Sequence, residues 1–185
     1  ERRKRWWSLQ PVRRPDLPPA VSWSDHPIDR FVHRKLRENE LTPAPPADRR
    51  ALLRRLSYVL TGLPPSWEET RQFETSEDPQ AFEKMVDHYL ASPRFGEHWA
   101  RHWLDAVRYA DTDGYQNDRL RYMWVWRDWL IRALNDNKPF DQFVTEQMAG
   151  DLLPDRDFHT QVATGFNRNH RINSEGGSIP DEWAV

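Results

Sequence analysis

Apolar residues recur at helical spacing along most of this chain. Ile28, Phe31, Val32 and Leu36 share one face of a predicted helix, with Asp25 as its N-cap and Pro27 in its first turn. Asp48 opens a segment carrying Leu52, Leu53, Leu56, Val59 and Leu60, which "TGLPP" stops at Gly62. Ser66 and Glu69 have the S-x-x-E spacing of a capping box and start a short helix through Phe73. Asp78 and Pro79 open the next, with Phe82, Met85, Val86, Tyr89 and Leu90 on one side. Ser92 and Pro93 begin a helix that runs into "FGEHWARHWLDAVRYADTDGY", residues 95 to 115.

The clearest pattern follows it: Tyr122, Val125, Trp126, Trp129, Leu130, Ala133 and Leu134. Trp126, Trp129, Leu130 and Leu134 are expected to face a core, and Trp124 a different surface. Lys138 and Pro139 begin a helix carrying Phe140, Phe143, Val144 and Met148, closed by Gly150. A last helix spans Phe158 to Phe166, ahead of the polar loop "NRNHRINSEGGSIPDEW". No run alternates with period two and no repeat recurs at a fixed interval.

These patterns predict an all-α fold: a single irregular domain of about seven or eight helices over residues 25–185. An extended, basic and proline-rich arm over residues 1–24 precedes it. Prolines at 11, 15, 18, 19 and 27 fix φ and remove backbone donors, so the arm is not expected to be helical. Trp6, Trp7 and Trp23 are expected to pin it to an apolar surface.

Charge changes the picture along the chain. Residues 1–60 carry 14 Lys/Arg against 7 Asp/Glu, and residues 61–185 carry 13 against 22. The basic third suits contact with phosphates or an acidic partner, but solvated helix faces and a basic linker account for it more simply, and nucleic-acid binding is not expected. No apolar run approaches the length of a membrane span. Neither a signal peptide nor an initiator methionine leads the chain, which is therefore expected to be a mature or excised piece. Cysteine is absent, which excludes disulfides, thiolate metal sites and haem attachment through C-x-x-C-H within these residues. Ten tryptophans are expected mainly to fill a core, with a stacking platform for sugars or bases as the other use.

The chemistry candidates cluster near the middle. At about 100° per residue, Phe95, Trp99, Ala106 and Ala110 define an apolar face of the helix. His98, His102, Asp105 and Tyr109 form an ionisable stripe along its edge. Two histidines one turn apart can share a divalent ion, with Asp105 a turn further on and Asp111, Asp113 or Glu175 as further ligands. "HWARH" lacks the glutamate of H-E-x-x-H, and hydrogen-bonded boundary side chains holding the "ADTDGY" turn are the simpler expectation. "DTDGY" does not fit an EF-hand, because loop position 12 would be Tyr122. Acid pairs for glycoside hydrolysis can be drawn from Asp105, Asp111, Asp113 and Glu175 without any spacing to select among them. "NSEGG" offers Asn173, Glu175, Gly176 and Gly177 as a candidate ligand loop, although no G-K-[ST] makes it a P-loop.

Several segments are familiar in combination: "WSLQPV", "HPIDRFV", "RRLSYVLTGLPP", "ARHWLDAVRYADTDGY", "GDLLP" and "ATGFNRNHRINSEGG". In this order, from Trp6 to the last residue, the chain resembles the planctomycete cytochrome-c-associated domain, a family of unknown function. The resemblance implies a module placed between a planctomycete cytochrome c module and a second domain of unknown function. It implies a large exported protein, periplasmic or cell-surface, with c-type haem elsewhere in its full length and no cofactor within this chain. Members continue beyond the equivalent of Trp183 into a segment with its own C-x-x-C-H, so the helical domain is expected to be truncated at its C-terminus. No catalytic residue comes with the resemblance.

Two function classes remain. The first is a non-catalytic helical scaffold or interaction module, docking the neighbouring domains or a glycan or protein partner. The second is a metal-assisted hydrolase of extracellular polymers such as glycans, using His98, His102 and Asp105 with Asp111 or Asp113.

Overall fold

Capping residues and apolar stripes set eight α-helices in the residues described by this computed structural model, 5–114 and 117–170. They are α1 (Pro27–Glu38), α2 (Arg49–Thr61), α3 (Trp67–Thr75), α4 (Ala81–Leu90), α5 (Pro93–Ala106), α6 (Trp124–Asn135), α7 (Phe140–Ala149) and α8 (Phe158–Ala163). Short 3-10 turns occupy Trp7–Leu9, Gly150–Leu152 and Thr164–Arg168. Among the described residues there is no strand beyond two isolated bridges, and the fold is all-α as the periodicity predicts.

The chain divides into two compact units, Glu1–Pro46 and Ala47–Val185. The first holds the proline-rich arm and α1. His26, rather than Asp25, caps α1: its Nδ1 accepts from the Ile28 N–H at 3.3 Å. Pro27 is already the first helical residue, so the cap falls on its immediate neighbour. The expected anchoring by Trp6 and Trp7 does not occur, since they are 56% and 85% exposed. Trp23 does meet a partner, the His33 ring at a centroid distance of 6.3 Å, and Pro18 is the buried residue of the arm.

In the second unit each helix start has a local cause. Asp48 accepts from the Ala51 N–H at 2.7 Å and opens α2. Gly62 ends α2 at φ +71°, a left-handed conformation that favours glycine. Ser66 and Glu69 form the full capping box of α3, with bonds of 3.1 and 2.6 Å. Asp78 does not cap α4 directly; its carboxylate takes the Gln80 N–H in a turn, and the helix begins at Ala81. Ser92 and Pro93 open α5 as expected. The final helix is shorter than its pattern suggests, stopping at Ala163 before a 3-10 turn.

Two apolar clusters hold this unit together. Leu53, Phe73, Ala81 and Tyr89 join α2, α3 and α4. Ala100, Trp126, Trp129, Leu130, Ala133, Phe143 and Ala163 join α5 to α8. Trp126 and Trp129 are buried, Leu134 is half-buried and Trp124 is 47% exposed, as the 3.6-residue period requires. Helix α5 packs against both α2 and α6, so it connects the clusters. Its start is tied to the end of α6 through Asn135, which accepts from the Gly96 N–H at 2.7 Å and donates to the Pro93 carbonyl at 3.2 Å. Gly96 is required there: a Cβ would sit 2.5 Å from the Ile131 carbonyl oxygen. Gln147, 1% exposed, accepts from the Trp103 indole N–H at 3.0 Å and donates to the Phe143 carbonyl at 2.9 Å.

Candidate functional site

The buried side of α5 is not the face its large residues mark. Gly96 and Ala100 are buried, and Trp103, Leu104 and Val107 flank them, whereas Trp99 is 41% exposed and Ala106 lies in solvent. The reason is steric. Small residues at 96 and 100 let α6 approach closely, so backbone proximity and not side-chain size selects the contact face.

Of the ionisable stripe, only the part within α5 stays off the α6 contact; Tyr109, beyond the helix end at Ala106, stacks on Trp126 of α6. His102 and Asp105 are exposed. His98 is half-buried because its imidazole lies over Gly62 at the end of α2, where any Cβ would collide with Nδ1. Burial, then the neighbouring Arg101 and His102 charges, hold the His98 pKa below its ordinary value. The His98 and His102 rings stand edge to face at 5.9 Å. Among the described residues neither imidazole has a hydrogen-bonded carboxylate, so these histidines do not hold the "ADTDGY" turn.

Tyr109 does hold it. Its hydroxyl donates to Asp111 Oδ2 at 2.8 Å, and Asp111 Oδ1 accepts from the Met123 N–H at 3.1 Å. Arg127 stands 4.0 Å from the same carboxylate. Asp113, 7% exposed, faces Arg121 at 3.7 Å, and Arg121 also donates to the carbonyls of Thr112, Arg168 and His170. The loop after α5 is thereby fastened to α6 and to the segment after α8. Arg121 and Arg127 were not among the sequence candidates, because nothing in "NDRLRYMWVWR" separates a buried arginine from a solvated one.

Burial, the hydrogen bond to Asp111 and that carboxylate's charge push the Tyr109 phenol up to about 12. The folded value lies above the unfolded one of about 10, so the stabilisation is complete below that pH and is lost as pH rises through the folded value. Tyrosinate absorbance during an alkaline titration should lose its latest phase in Tyr109→Phe, while Tyr89, which burial also raises, continues to titrate late. An unchanged curve in that variant would contradict the assignment.

The five candidate ligands are thus spread out. His98 and His102 are neighbours on α5, Asp105 is a turn away and solvent-facing, and Asp111 and Asp113 are engaged with Tyr109 and Arg121. Among the described residues no group of three or more His, Cys, Asp or Glu side chains is arranged to hold a metal ion. Asn173, Glu175, Gly176 and Gly177 lie outside the described residues.

A different feature adjoins the stripe. Phe95, Trp99, Trp103, Leu134, Phe140 and Phe143 line a groove of about 340 Å³ between α5 and the α6–α7 turn, with His102 and Lys138 on its walls. Phe140 is 71% exposed, and Lys138 is engaged by Glu146 at 2.7 Å. The sequence concealed this groove because its aromatics come from two helices, with Leu134 from a third, and each helix alone presents them as core. No described helix is long and apolar enough to cross a membrane.

Neither a curated protein nor a solved structure matches the chain. The family profile described as PSCyt2, protein of unknown function (DUF1549), matches residues 27–185, which cover the capped helices, the Tyr109–Arg121 loop and the groove. The chain belongs to this family of planctomycete cytochrome-c-associated domains of unknown function.

Proposed function

We propose that this chain is a non-catalytic helical interaction module of an exported, haem-associated multidomain protein. The observation that supports the reading is the aromatic groove beside α5, an apolar surface with exposed Trp99 and Phe140 at its mouth. The ionisable residues nearby are absorbed in structural roles: His98 covers Gly62, Asp111 holds Tyr109, and Asp113 faces Arg121. On this reading the c-type haem is carried elsewhere in the full-length protein. The neighbouring cytochrome c module and C-terminal domain are the partners, in the periplasm or at the cell surface.

The test is calorimetric titration of this chain with the separately produced cytochrome c module of the same protein. Saturable binding is expected, weakened about tenfold or more by Trp99→Ala or Phe140→Ala, as for aromatic anchors at interfaces. No binding, or binding indifferent to both variants, would refute docking through the groove. Stoichiometric metal binding by the chelator-treated chain, lost in both His98→Ala and His102→Ala, would overturn the non-catalytic reading itself.

A further inference from the structure

The first unit carries a basic stripe, distinct in chemistry from the aromatic groove. Arg30, His33, Arg34 and Arg37 stand at i, i+3, i+4 and i+7 of α1 and so form one stripe. Together with Pro18 and Val21 of the arm they line a groove of about 400 Å³. Both acids within α1, Asp29 and Glu38, are already engaged, although Glu38 also lines the groove. Glu38 pairs with Lys35 at 2.6 Å and lies 3.8 Å from Arg34, and Asp29 takes the Ser24 hydroxyl. Among the described residues Arg30 and Arg37 have no acidic partner. Arg30 Nε is shielded from solvent with no hydrogen-bond acceptor among them, a condition that costs free energy unless an acceptor arrives.

We propose that this groove binds an extended acidic peptide segment of a partner protein, through carboxylates placed on alternate residues. The register follows from two repeat lengths. Arg30 and Arg34 are four helical residues apart, a rise of about 6 Å, and so are His33 and Arg37. Alternate side chains of an extended chain project to one side about 6.6–7 Å apart. Two alternate carboxylates of such a segment therefore match either pair, Arg30 with Arg34 or His33 with Arg37. Arginine forks suit paired carboxylate oxygens. The opposite wall is proline-rich and short of N–H donors, so it supplies apolar contact and leaves anion recognition to α1. A peptide is favoured over a rigid polyanion surface because the groove runs between helix and arm and half-covers Arg30 and His33, which an extended chain can reach.

The test uses the full chain and a peptide of about six residues with glutamate at alternate positions, long enough to span the stripe at about 3.3 Å per residue. Saturable binding is expected at low salt, with affinity falling as salt rises. Arg30→Gln and Arg37→Gln should each weaken it roughly tenfold, the scale of one charge-assisted hydrogen bond. Arg37 is exposed, so its variant reports even if Arg30→Gln disturbs folding. The control is Arg13→Gln with Arg14→Gln on the exposed arm, which removes twice the charge of either variant outside the groove and should leave affinity unchanged. Equal weakening in that control would overturn the proposal in favour of diffuse attraction. So would failure of the peptide to bind, or binding only by a sulfated polysaccharide offered in its place.

Discussion

Truncating Trp126 to alanine is expected to cost roughly 3–5 kcal/mol of stability, seen as a lower denaturant midpoint with an unchanged slope. Trp126 is 2% exposed and packs against the loop after α5 and the Thr164–Arg168 turn. Its ring stacks with Tyr109 at 6.1 Å, meets Phe166 at 6.2 Å and presses on Gly165, where a Cβ would lie 2.9 Å from the tryptophan Cβ. Removing the indole leaves a cavity that α5, α6 and the 3-10 turn cannot close without moving together. Its indole N–H is buried with no acceptor among the described residues. Trp126→Phe discards that unsatisfied donor along with some volume, so it should cost much less than the alanine variant. A Trp126→Ala protein with the parent's midpoint would remove Trp126 from the core.

Arg121→Met should be comparably damaging, at about 3–5 kcal/mol, although it replaces a charged residue by an apolar one of similar length. Arg121 is 9% exposed, and three backbone carbonyls and the Asp113 carboxylate depend on it. Methionine leaves Asp113 buried without a counter-charge and strips the donors from Thr112, Arg168 and His170. Asp113→Asn should cost less, because Arg121 keeps its carbonyl acceptors and asparagine keeps polarity. The double variant should cost less than the sum of the two, since the stranded charge is gone. Urea unfolding of the three variants measures this directly. An Arg121→Met protein within about 1 kcal/mol of the parent would show that this arginine does not fasten the loop.

Several functional details were legible only as residue types. His98, His102 and Asp105 do share one side of α5, as their spacing requires, whereas Tyr109 lies beyond the helix end, past Arg108 at φ +56°. Their partners do not follow from spacing. Tyr109 finds Asp111 two residues on, His98 finds Gly62 from α2, and Asp105 finds solvent. The same limit applies to Asp113, whose neighbour Arg121 lies eight residues further along the chain. The basic stripe of α1 was visible as charge, yet its groove exists only because the proline arm lies alongside it.

What the sequence determined by itself is local and periodic. The all-α class follows from 3.6-residue spacing, and the starts of α2, α3 and α5 follow from Asp48, Ser66 and Ser92, whose side chains meet N–H groups within one turn. The core side of α6 follows as well, because Trp126, Trp129 and Leu130 leave only one apolar face to bury. The tertiary structure alone decided the contact face of α5. There the choice turned on how closely α6 could approach Gly96 and Ala100, and that distance depends on Asn135 and the Ile131 carbonyl some forty residues away. It also decided where the aromatic groove opens, since Trp99, Leu134 and Phe140 come together only when three helices pack. Capping and periodicity act within a turn of the chain, whereas close packing is settled between backbones that the sequence does not place side by side.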